Sequence, residues 1–156
     1  NWTLASIMER DGEIIGAIEI YEKLYEENSS NLVIANNLAS LLATANEDAE
    51  GLARAHKIAL RLRGRDVPAF QDTYGWIAFR RGDLDSALTA LEPAAAGLPA
   101  DPLVQYHLAR TYAALDRTED ALAQYRKVVE VVGANLRPDY MDEVEAEIGR
   151  LSVPSE

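Results

Sequence analysis

Small residues recur along this chain at a fixed distance. Ala5 and Ala39 stand 34 residues apart, as do Gly75 and Ala109. A second series, Ala17, Ala55, Ala87 and Ala121, runs beside the first, and its last step is again 34 residues. The step from Ala39 to Gly75 is the exception, at 36. There the turn around residues 45–51 is four residues longer than in the other units, and the loop around residues 63–68 is two shorter. A period of this length restricts what the chain can fold into. Each unit is too small to bury its own apolar face, so neighbours must stack on it.

The side chains around the small residues give the unit its form. Leu4, Leu38, Tyr74 and Leu108 directly precede the first small residue, and Met8, Leu42, Ala78 and Tyr112 follow it by three. That spacing marks one face of a helix. A second helix follows with buried-stripe spacing: Ala17, Tyr21 and Leu24, then Ala55, Ala59 and Leu62, then Ala87, Leu91 and Ala94, then Ala121, Tyr125 and Val128. Small residues at both crossings let two antiparallel helices approach to the usual ~8–10 Å. Asp11-Gly12, Gly82-Asp83 and Asp116-Arg117 interrupt the pattern between the helices. Glycine suits the left-handed stop and aspartate the next cap. Pro68 and Pro102 fit first helical turns, where a missing N–H costs nothing, and Asp101 precedes the latter as a cap.

A helix–turn–helix unit with this period and these crossings resembles the tetratricopeptide repeat, whose pattern is W-x2-L-G-x2-Y…A-x3-F…P. The best unit reads Leu108-Ala109-x2-Tyr112…Ala121-x3-Tyr125. The unit before it reads Tyr74-Gly75-x2-Ala78…Ala87-x3-Leu91…Pro99. Asn1, Ala35, Gln71 and Gln105 stand where the pattern has Trp. The resemblance covers roughly residues 1–133. It implies an all-α fold, a right-handed α-solenoid of antiparallel helix pairs. The units would span about 1–29, 30–67, 68–100 and 101–133, with a capping helix and tail over 134–156. The wording NNLASLLAT and DTYGWIAFRRGD also resembles bacterial repeat proteins of exopolysaccharide and surface-protein sorting systems, and the chain reads as a fragment of such a protein, with Asn1 inside a helix.

In a stack of this kind the first helix of each pair lines a concave side. The positions not needed for packing then form a groove. They include Trp2 and Glu9 in the first unit. The predicted binding set is Asn36, Asp72, Trp76, Phe79, Arg80, Tyr106 and Arg110. Aromatic and arginine side chains are the usual carriers of interface energy, and a guanidinium can fork onto a carboxylate. The resemblance therefore implies a non-catalytic module that holds a protein or peptide ligand. Chaperone-binding members of the family grip a C-terminal carboxylate with Lys and Asn. Asn36 matches by type, but no Lys stands at an inner position, which argues against that clamp.

Charge supplies the alternative. The net charge is −11, yet residues 32–137 carry thirteen acids and twelve bases, so the excess acid sits at the two ends. Arg54, Lys57 and Arg61 share a face of one second helix. That patch could dock the acidic end of another copy, giving a self-associating scaffold or homo-oligomer. The same acidity disfavours nucleic acid as a partner. In the tail, Tyr140, Val144, Ile148 and Leu151 form one apolar stripe, and Asp142, Glu143, Glu145 and Glu147 read as its wet outer face. No chemistry-bearing constellation emerges. Cysteine is absent, His56 and His107 have no partners at metal spacing, and no Gly-rich phosphate loop exists. No metal, cofactor or catalytic residue is expected, and no apolar run reaches membrane-span length.

Overall fold

A computed structural model describes residues 2–154, and among them every regular element is helical. The side chain of Trp2 lies outside the described residues. Helices α1 (Trp2–Arg10) and α2 (Ile14–Glu27) form the first antiparallel pair. Next come α3 (Leu32–Ala45) with α4 (Ala49–Ala59), the latter prolonged by a 3₁₀ turn at Leu60–Leu62. Pairs α5 (Pro68–Arg80) with α6 (Leu84–Gly97) and α7 (Pro102–Ala114) with α8 (Thr118–Val132) follow. Helix α9 (Met141–Leu151) ends the stack.

Local chemistry explains the helix starts. The Asn31 side chain accepts hydrogen bonds from the Val33 and Ile34 N–H groups, and Asp101 accepts from Leu103 and Val104. Asp48 and Asp83 cap α4 and α6 through the N–H groups of Gly51 and Ser86. Each cap satisfies donors that the helix leaves open. Gly12 and Gly82 take φ of +82° and +83° in equivalent turns. Asp116 occupies the same turn in the next unit at φ +56°. The expected division of labour is therefore only partly met: Asp116 is itself the left-handed residue, and neither Asp11 nor Asp116 caps the helix that follows.

The two series of small residues lie in the crossings. Ala5, Ala17, Ala39, Ala55, Ala87, Ala109 and Ala121 are all fully buried. At Gly75 a Cβ atom would lie 2.6 Å from Cγ of Leu91, so α5 and α6 approach too closely there for any side chain. Around the crossings the expected stripes close the core. Tyr21, Leu62, Leu91, Ala94, Tyr125 and Val128 are buried, and Leu24 packs at the edge.

Packing between units determines which side faces inward. Helix α3 lies against α5, and α5 against α7, whereas no second helix approaches the next second helix as closely. From α3 to α7 the layer of first helices is the more closely packed, as the inner side of a curving stack must be. The chain is thus an α-solenoid. Helix α9 covers the last pair, with Met141 and Val144 buried against α7 and α8 and Tyr140, Ile148 and Leu151 packed around them. At the other end, Leu4 and Ile15 remain 50% and 75% exposed, because among the described residues no helix precedes α1.

Candidate binding face

The inner surface is built from α3, α5 and α7, closed at one end by α9. Trp76 and Phe79 sit three residues apart on α5, which puts them on one face of the helix. Their rings stack at 4.9 Å and 6°. Trp76 also stacks on the His107 ring of α7, at 4.0 Å and 14°. Both Trp76 and Phe79 are half-buried, so part of each ring meets solvent. Arg110, also on α7, lays its guanidinium 5.2 Å from the Phe79 centroid, 5.7 Å from that of Trp76 and 5.9 Å from that of Tyr106. Three rings and one cation form a single cluster, held by the attraction between a cation and aromatic faces.

Tyr106 departs from the expected set. It is only 6% exposed, stacked on Tyr140 at 4.4 Å, and its hydroxyl donates to Oε2 of Glu143. Burial, then the Glu143 carboxylate, pushes its pKa up to about 12. Glu143 also corrects the reading of the tail. It stays 44% exposed, yet it turns toward α7, where its Oε1 lies 3.4 Å from Nε of Arg110. The Arg110 guanidinium additionally donates to the Tyr106 hydroxyl at 3.3 Å.

Two further members of the set are occupied by the protein itself. Arg80 donates to the carbonyls of Ala43 and Asn46, the latter at 3.1 Å, and so closes the C-terminal end of α3. Asp72 holds Nδ1 of His107 at 2.7 Å, with both side chains largely covered. Asn36 behaves differently. Its Nδ2 donates to Oδ1 of Asn37, whose own amide donates to the Tyr21 hydroxyl, while Oδ1 of Asn36 is buried without a partner.

The sequence reasoning missed His107 and Glu143 as members of this cluster. The repeat register contained a signal for the first, because Asp72 and Tyr106 are equivalent positions and His107 follows the latter directly. Nothing local signalled Glu143. The basic patch also changes character: Arg54 pairs with Glu22, and Arg61 donates to the Ser29 carbonyl while its guanidinium lies 5.5 Å from the Tyr25 centroid. These bonds tie the second unit to the first. A separate cavity of about 470 Å³ lies between the loop after α4 and helix α6, lined by Arg63, Arg65, Tyr74, Asp85 and Ser86 among others, and contains none of the predicted binding set. Among the described residues no three His, Cys, Asp or Glu side chains converge as a metal site would require. No described helix is long and apolar enough to cross a membrane.

Residues 78–133 match the tetratricopeptide repeat family. That segment runs from the end of α5 through α8, about a third of the chain. Solved structures show how far the repeat fold extends beyond that segment. MamA aligns over 94% of this chain and 81% of its own, with a TM-score of 0.68 at 16% identity. A thermophilic tetratricopeptide-repeat protein of Thermus thermophilus, TTC0263, aligns over 96% and 78%, with a TM-score of 0.69 at 21% identity. YrrB, described as a tetratricopeptide-repeat protein with an unusual peptide-binding site, aligns over 96% and 73%, with a TM-score of 0.67 at 17% identity. At these identities the likeness is one of fold. No curated protein matches the sequence.

Proposed function

We propose that this repeat array is a non-catalytic protein-interaction module that holds a segment of a partner protein against its inner face. The observation that carries the reading is the half-exposed, stacked Trp76 and Phe79 on the inner helix layer, braced by Arg110. Large rings held rigid before binding offer contact area at small entropic cost. Asn36 and Asp72 flank this shelf at equivalent positions on α3 and α5 and supply polar contacts. Arg80 and Tyr106 support the shelf from below rather than touching the ligand. The likeness to YrrB, itself described as having a peptide-binding site, agrees with this reading.

Replacing Trp76 by Ala tests it. The change removes a central aromatic anchor, for which a loss of at least ~2 kcal/mol, or about 30-fold in affinity, is typical. Peptide binding measured by fluorescence anisotropy should weaken by that order while far-UV circular dichroism stays unchanged. Equal binding by the variant would remove the inner face from the function. The self-association reading has less support, because Arg54 and Arg61, which were to meet an acidic end of another copy, are already engaged within the chain.

A further inference from the structure

The sequence suggested that Arg80 and Arg110 would fork onto an acidic ligand. The structure removes both from that role. Arg80 is bound to two carbonyls of α3, and Arg110 is bound to Glu143 and Tyr106 with its flat face on the rings. No lysine stands on the inner helices α3, α5 and α7.

What remains open on this face accepts hydrogen bonds or attracts positive charge. Asp72 uses one carboxylate oxygen on His107, and its side chain keeps 16% of its exposure. Glu9, on α1 at the repeat position that Phe79 holds on α5, is an exposed carboxylate with no ion-pair partner among the described residues, and partial burial raises its pKa. Trp76 and Phe79 are half-buried, and Arg110 shows that this ring cluster accommodates a guanidinium at 5.2–5.9 Å. A chain of net charge −11 adds a long-range field of the same sign.

We infer that the partner segment is cationic, a stretch of peptide rich in Arg or Lys whose side chains lie against the Trp76–Phe79 shelf and reach the exposed edge of the Asp72 carboxylate. Glu143 has a defined part in this preference. By neutralising Arg110 it prevents the cluster from repelling a cation and from attracting an acid. The inference rests on the inner-face reading above.

The test uses three fluorescein-labelled degenerate peptide pools of equal length, one Arg/Lys-rich, one Asp/Glu-rich and one uncharged, titrated with the wild-type chain. The basic pool should bind at least about tenfold more tightly than the acidic pool, and raising the salt should narrow the gap. Trp76→Ala should weaken the basic pool strongly although it changes no charge. Glu143→Gln should raise binding of the acidic pool and lower that of the basic one, and Asp72→Asn should lower the basic pool alone. Circular dichroism confirms that each variant is folded. Preference for the acidic or uncharged pool, lost in Trp76→Ala, would overturn the cationic class and leave the inner face standing. Basic binding indifferent to Trp76→Ala would mean diffuse attraction to an acidic surface and would overturn both readings. Absence of binding by every pool would do the same.

Discussion

The tight crossing of α5 and α6 yields a prediction with a definite sign. Gly75→Ala would normally favour a helix, by roughly 0.5–1 kcal/mol, because glycine loses more backbone freedom on folding. Here the added Cβ would meet Cγ of Leu91 at 2.6 Å, its Cδ2 at 3.0 Å and Cβ of Ala90 at 3.1 Å. Comfortable carbon contacts lie near ~3.5–4.0 Å, so something must move by about an ångström. Leu91 is fully buried and its Cγ is close to its own backbone, so no flexible tip can yield. Overpacking of this kind costs roughly 1–3 kcal/mol, which exceeds the propensity gain. The expected outcome is a net loss of about 1–2 kcal/mol, a fall in Tm of several degrees for a chain of this size. Urea titration followed by circular dichroism measures it. The double variant with Leu91→Ala gives a sharper check, since Gly75→Ala should become neutral or favourable once Leu91 is shortened. A stabilising effect of Gly75→Ala with Leu91 intact would refute the argument that helix contact dictates glycine here.

Three other outcomes follow from single features. Arg80→Met should destabilise the array by about 2 kcal/mol, because two C-terminal carbonyls of α3 lose a charged donor; thermal melting shows it, and an unchanged Tm would assign those carbonyls to solvent. Asp116→Gly should stabilise by about 0.5–1 kcal/mol, since glycine holds a φ of +56° without the steric cost of a side chain, and chemical denaturation reads the gain. His56 has its pKa lowered, first by burial and then by Arg81, and its Nδ1 is buried without a partner. Below its ordinary value of 6.5 the unfolded chain takes up a proton that the folded chain resists, so stability should fall as the pH is lowered, until the folded value is reached. Asp83, whose pKa is also lowered, contributes its loss only below about 3.8, and His56→Gln should therefore flatten the upper window alone in a pH series of urea titrations.

Much of the architecture was legible because it is repeated and local. The crossings at Ala5, Ala17, Ala39, Ala55, Gly75, Ala87, Ala109 and Ala121, the proline starts and the Asp101 cap depend on residues a turn or a repeat apart. Helical geometry converts such spacings directly into shared faces. The tail shows where that reading weakens. Its stripe through Val144, Ile148 and Leu151 was visible, but Met141 at the stripe's head and the turn of Glu143 toward α7 were not.

The candidate site divides in the same way. Periodicity by itself determined that α5 and α7 would place Trp76, Phe79 and Arg110 on one side of the stack. Only the tertiary structure decided that Arg80 would bind the end of α3, that Asp72 would hold His107, and that Tyr106 and Arg110 would share Glu143. Each of these bonds joins residues more than thirty positions apart on different helices. The stagger and tilt of neighbouring units select among several side chains of similar reach, and a repeating pattern carries no record of that choice.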